Sequence, residues 1–146
     1  MLVSEKLVTL IEQNADSLTK EWLEDIRKHP DTPMYQKFNP TELYRRCYTV
    51  YSQLGKWLSH ETPKQEIADY YIPLGKQRRK EGFSLSEVIQ ALIMIRRRLW
   101  LRVISEGLLD TALELHRAME LNNRVVLYFD RAIFFTAVGY EKGDKK

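Results

Sequence analysis

Phe83-Ser84-Leu85-Ser86-Glu87 and the run VIQALIMIRRRLWLRVISE at positions 88–106 read together as one capped helix. Ser84 is placed as the N-cap, Glu87 stands where a capping box needs its acid, and Phe83 and Val88 are set for the hydrophobic staple. Val88, Ile89, Leu92, Ile93, Ile95, Leu99, Trp100, Val103 and Ile104 cover well over half the circumference, which predicts the central helix of a bundle. Just upstream, Gly82 stops a helix that begins at Thr62-Pro63, carries Ile67, Tyr70, Tyr71 and Leu74, and loses a backbone bond at Pro73. Before it, Asn39-Pro40-Thr41-Glu42 opens a helix over about 40–59, with Asn39 as N-cap, Glu42 reaching back, and Leu43, Cys47, Val50, Tyr51, Leu54 and Leu58 on one face. A first helix is expected from Ser4, as its N-cap, to Lys28, with Leu7, Ile11, Leu18, Trp22 and Ile26 inward; the two-proline stretch 29–38 reads as a loop. Downstream of a break at Gly107, the last helix should cover about 110–140, roughly 45 Å. A compact domain of this length is about 40 Å across, so an end of that helix is expected to project. The fold class is therefore all-α, a five- to six-helix bundle with a long C-terminal helix, one domain over residues 1–146. A globin-like stack and a simpler bundle both satisfy this pattern.

Only 6 Gly and 5 Pro interrupt the helical spacing, and 44% hydrophobic with 29% charged residues is an ordinary globular composition. Lys and Arg number 23 against 20 Asp and Glu, a net charge of +3 with no basic cluster, which gives nucleic-acid binding no support. Cys47 is the only cysteine, so no intrachain disulfide can form; a reducing, cytoplasmic location is expected, with Cys47 as a packed thiol. The start lacks the basic and apolar regions of a signal peptide, and no window nears the roughly 18 apolar residues of a membrane span, so neither export nor membrane insertion is expected.

Catalytic signatures are missing: there is no phosphate loop, no dinucleotide-binding glycine motif and no set of residues at metal-ligand spacing. His29 and His60 fall at expected helix ends, where imidazolium meets a favourable dipole. His60-Glu61-Thr62-Pro63 has its proline two residues too early for a kinase phosphoacceptor box, and His116 lacks the surroundings of a haem ligand. The expectation is no enzyme, no cofactor and no metal.

Three features stand out instead. At about 100° per residue, Arg96 falls among Leu92, Ile89, Leu99 and Val103, whereas Arg97, Arg98 and Arg102 point away. Arg78 continues the stripe of Ile67, Tyr71 and Leu74, while Lys76, Arg79 and Lys80 look solvent-facing. A buried guanidinium needs an acid, carbonyls or an anion. One reading pairs these arginines internally, with Asp25 or Asp130, or lets them snorkel to water; the other has Arg78, Arg96 and Tyr71 line a cavity for a small anionic or polar ligand. The third feature is the seam Leu115, Ala118, Asn122, Val125, Phe129, Ala132 and Thr136, spaced by fours and threes with an Asn at one seam position. It suits either pairing between subunits, with Leu115, Asn122, Val125, Phe129 and Ala132 as the dimer and signalling surface, or packing within the chain's own core.

The segment LGKQRRKEGFSLSEVI at positions 74–89, followed by Ala91-Leu92 and Arg96-Arg97-Arg98-Leu99-Trp100, resembles the N-terminal sensory domain of RsbR-type co-antagonists of the RsbT kinase. The same domain is also found ahead of some bacterial sensor histidine kinases. Trp22-Leu23-Glu24-Asp25-Ile26-Arg27, Tyr128-Phe129-Asp130-Arg131-Ala132 and Gly139-Tyr140-Glu141 extend the resemblance over most of the chain. The resemblance implies a helical input domain that pairs as a homodimer, passes signals through its last helix to a STAS or kinase module, and is globin-like without haem. The 146 residues hold neither such module, which leaves an excised domain and a free-standing relative as alternatives. The expected function is a non-enzymatic signal-transduction input domain; a haem or small-anion binding protein of globin-like shape is the alternative, and a small enzyme the next.

Overall fold

Local signals set most helix ends, and two short breaks divide helices that the apolar spacing leaves continuous. The structure is a computed structural model that describes residues 3–58, 62–106 and 110–143. Among these it contains eight helices and no strand: α1 (Val3–Gln13), α2 (Ala15–Lys28), α3 (Pro33–Lys37), α4 (Pro40–Ser52), α5 (Leu54–Leu58), α6 (Lys64–Lys80), α7 (Leu85–Ser105) and α8 (Ala112–Lys142). The all-α class holds, and two expected helices each divide in two while a short helix, α3, forms in the expected loop. The expected stop at Gly107 and the reading of His60 lie outside the described residues.

The first expected helix breaks at Asn14. The Asn14 side chain donates to the Leu10 carbonyl at 2.8 Å, its backbone sits at φ −103 and ψ 17, and Ser17 donates back to the Asn14 carbonyl at 3.1 Å. Side-chain bonds of this kind compete with the helical ladder. Ser4 stands inside α1 rather than ahead of it as a cap. The second expected helix divides likewise at Gln53, φ −114 and ψ 20. Within the expected loop, Pro33 starts the single turn α3 and buries Tyr35, because a proline at the first helical position costs no hydrogen bond.

The caps behave largely as read. Ser84 Oγ accepts from the Glu87 amide at 3.3 Å, and Glu87 Oε1 accepts from the Ser84 amide at 3.2 Å. Glu87 also reaches out of its own helix, accepting from the Met34 amide at 2.7 Å and tying α3 to the start of α7. Ser84→Ala should lower unfolding stability by about 1 kcal/mol in urea titration. Gly82, at φ +96, ends α6 in a Schellman turn: the Phe83 amide donates to Arg78 O and the Gly82 amide to Arg79 O, both at 3.1 Å. Asn39 caps α4 by accepting from the Thr41 and Glu42 amides at 2.8 and 3.3 Å. The Glu42 carboxylate does not reach back as expected; Arg45 and Arg46 hold it.

One core, with Leu7, Ile11, Leu18, Ile26, Tyr51, Leu54, Leu99, Val125 and Phe129 buried, is shared by the helices. The closest pairing is α6 with α8. There Gly75 faces Thr136 and Gly139 faces Ile72, backbone against backbone: a methyl group on Gly139 would stand 2.0 Å from the Ile72 oxygen, and one on Gly75 would stand 2.1 Å from the Thr136 oxygen. Pro73 lies inside α6 without ending it. The central position expected for α7 is only half met. Val88, Leu92, Ile95, Leu99 and Val103 are buried, but Leu101 and Ile104 form part of a second apolar stripe that faces outward. Helix α8 has 31 residues, about 46 Å. Its C-terminal half is clamped to α6, whereas Leu113, Leu115 and Met119 in its first turns are exposed. No described helix is long and apolar enough to cross a membrane.

Candidate functional site

Three helices each turn a pair of adjacent turns toward one point. Leu43, Arg46, Cys47 and Val50 come from α4, Tyr71, Leu74 and Arg78 from α6, and Val88, Ala91, Leu92 and Ile95 from α7; with Trp22 and Tyr35 they enclose a cavity of about 60 Å³. Spacings of three, four and seven put each set on one helix face. Its walls are mostly apolar, with the charged groups gathered at the end where Arg46 and Arg78 meet.

That end is an ion cluster built around one carboxylate. Arg46 donates to Glu81 through Nη1 at 2.9 Å and Nη2 at 2.6 Å, a two-pronged pairing, and through Nε to Glu42 at 3.0 Å. Arg78 has a single longer bond, Nη1 to Glu81 Oε1 at 3.3 Å. The side chains of Arg46, Arg78 and Glu81 are 18, 11 and 12% exposed. Burial and the like charge of Arg46 pull the Arg78 guanidinium below its usual pKa, with Glu81 only partly offsetting them. Burial alone would raise Glu81, but the hydrogen bonds from Arg46 and Gln77 and the nearby guanidinium charges hold its carboxyl below the usual range. Arg78 is thus a desolvated cation sharing its acid with a better-placed neighbour.

Of the residues singled out in the sequence, Tyr71 and Arg78 do line one cavity. Tyr71 offers its ring, because its hydroxyl is hydrogen-bonded to that of Tyr128 on α8, and burial pushes its pKa up. Arg96 is elsewhere: it is 30% exposed, with Nη1 3.9 Å from Asp130 on α8, so the internal pairing applies to it. It faces the α8 side of α7, while Leu92 and Ile95 face the cavity. Arg98 and Arg102, expected in solvent, instead bind α7 to α2. Arg98 Nε donates to Asp25 at 2.7 Å, and Arg102 donates to Glu21 at 2.7 Å and to Asn14 Oδ1 at 3.0 Å. Arg79, also expected outward, lies over the Tyr140 ring and donates to its carbonyl. Arg46 was missed, although it stands three residues after Leu43 and four before Val50.

The seam residues divide. Ala118, Val125, Phe129, Ala132 and Thr136 are buried within this chain, and only Leu115 and Asn122 are exposed. A second chain cannot reach Val125, Phe129 or Ala132 without unpacking the core, so they are occupied inside the domain.

The cavity's polar groups are two guanidiniums, the Tyr35 and Tyr70 phenols and the Cys47 thiol, which burial pushes well above its usual pKa and so keeps protonated and inert. Neither described histidine reaches it: His29 Nδ1 accepts from the Asp31 amide at 3.1 Å, and His116 lies exposed beside Glu120 at 3.2 Å. No group of three or more His, Cys, Asp or Glu among the described residues is arranged to hold a metal. The residues present therefore do not fit haem: neither described histidine faces the space, the Cys47 thiol stays protonated, and about 60 Å³ is far too small.

No curated protein and no solved structure gave a significant match. The family comparison matched residues 16–144, a span running from the Asp16 end of α2 through the cavity to the end of α8, to the RsbT co-antagonist protein rsbRD N-terminal domain. The chain therefore belongs to the RsbRD N-terminal domain family, stressosome-type signalling input domains that are not a known enzyme family.

Proposed function

We propose that this chain works as one sensory unit inside the cell, in which a change at the Arg46–Arg78 cavity is relayed through α8 to a STAS or kinase signalling module. The observation that carries this reading is the shared helix α6. It supplies Tyr71, Leu74 and Arg78 to the cavity and, on its other side, meets α8 through Gly75 and Gly139 with no side chain between. Tyr71 is itself bonded to Tyr128 on α8, and Tyr140 donates to the Phe83 carbonyl at 2.9 Å beyond the end of α6. A ligand or strain that favours one placement of α6 selects the matching placement of the α8 end, which is all a relay requires. Close packing makes such a pair move together rather than yield locally.

The same reading includes a homodimer. With the seam buried, the exposed apolar side chains of α8 are Leu113, Leu115 and Met119 near its start and Leu127 and Phe134 further along, and Ile104 is exposed near the end of α7; Met119 is 65% exposed. Leu113, Leu115 and Met119 fall close together at the start of α8, an apolar patch of the kind a self-complementary contact uses. Replacing Leu115 and Met119 together by Glu should convert a dimer to a monomer by light scattering with the helical circular dichroism unchanged. A monomeric parent protein, or a variant that stays dimeric, would contradict the dimer. Phe129 is unsuitable for this test, because its loss would empty the core.

A further inference from the structure

Resting on that reading of the cavity, we infer that its ligand is a short-chain monocarboxylate, an anion of the acetate to butyrate class, held by Arg78 with its alkyl end between Leu92 and Val50. Three observations carry this. The first is unused donor capacity: Arg46 is held by both Glu81 oxygens and by Glu42, whereas Arg78 shares Glu81 through one long bond. Arg78 is the member with spare donors, having one bond at 3.3 Å where Arg46 has three bonds of 3.0 Å or less. A planar guanidinium matches a carboxylate with two parallel bonds.

The second is polarity. The Tyr35 and Tyr70 phenols stand near Arg78, and away from that end the walls include Leu43, Val50, Val88, Ala91, Leu92 and Ile95. A fully oxygenated anion such as phosphate would turn some of its oxygens toward that hydrocarbon, which is unfavourable. A monocarboxylate places its oxygens at one end and its methyl groups at the other. The third is size: a space of about 60 Å³ suits a small molecule rather than a large one. Arg46 and Arg78 keep some solvent exposure, so the charged end is also the entrance.

The test uses the whole chain, with the Trp22 indole N–H as reporter. That group donates to the Ala91 carbonyl at 3.2 Å on the cavity wall. In proton–nitrogen correlation spectra, sodium propionate in the millimolar range should shift the Trp22 signal saturably and raise Tm. Propionamide, the neutral counterpart, and sodium phosphate should leave both unchanged. Arg78→Gln should weaken propionate binding about tenfold or more, and Ala91→Val, which fills the space without touching the charges, should abolish it. No propionate shift, or equal binding of propionamide, overturns the proposal. Binding of phosphate in place of propionate overturns the carboxylate but keeps an anion-sensing cavity; no response to either anion removes the cavity as the sensor and leaves the dimer test standing.

Discussion

Gly139→Ala is expected to lower the unfolding free energy by about 3 kcal/mol or more, at the upper end of what overpacking costs. In a domain of this length, that lowers Tm by roughly 10 °C. The added methyl would stand 2.0 Å from the Ile72 carbonyl oxygen, and the nearest atoms are all backbone. A rotamer change cannot relieve such a clash; the helices must separate. Gly75→Ala should behave alike, since its methyl would meet the Thr136 oxygen at 2.1 Å and the Tyr140 amide at 2.8 Å. Gly55→Ala is the control. Its methyl would meet the Glu12 and Val8 side chains at 3.3 Å, contacts that can give, and it should change stability by less than about 1 kcal/mol. Equal, small effects at all three glycines would remove the close α6–α8 contact from the account.

Glu81→Gln should destabilise by about 3 kcal/mol, because it leaves two largely buried guanidiniums without their shared charge. The same pair sets a pH dependence. Glu81 has a folded pKa below its ordinary value of 4.5, so its contribution is fully present above that value and is lost as pH falls through the folded pKa. Urea midpoints of the parent protein should drop as the solution is acidified below about pH 4.5, and Glu81→Gln should show a shallower drop. Asp16, held down chiefly by the Tyr44 hydroxyl, titrates alike in both proteins, and Glu42, held down to about 2 chiefly by Arg45, also bonds Arg46, so the difference between the curves reports the arginine cluster that Glu81 anchors. Parallel curves would show that Glu81 is not the acid on which the arginines depend.

What could be read in the chain beforehand was whatever depends on neighbours a few residues away. The Ser84 capping box, the Gly82 stop, the Asn39 cap and the inward stripes of α6 and α7 are of this kind. At Asn14 the bonds to Leu10 and from Ser17 are equally local, but the hold of Arg102 on its side chain from the far end of α7 is not. Arg78 and Tyr71 could be assigned to one face because both lie on α6, but Arg46 needed the knowledge that α4 packs beside them. Arg96 sits at the edge of the α7 apolar face, where a small rotation decides between cavity and surface. The α8 seam was periodic whether its cover came from another chain or from this one, and periodicity alone cannot distinguish them. Arg98 and Arg102 looked outward until α2 supplied their acids.

The relay through α6 is tested most directly by amide hydrogen exchange across residues 136–142 in Ala91→Val and in the parent protein. Ala91 is on α7, across the cavity from α6, and its carbonyl is held by Trp22. Filling the cavity there should alter protection in α6 around Tyr71 to Arg78 and in the last turns of α8, beyond the change expected from global stability. Altered exchange confined to α2, α4 and α7, with residues 136–142 unmoved, would contradict the coupling of cavity to helix end.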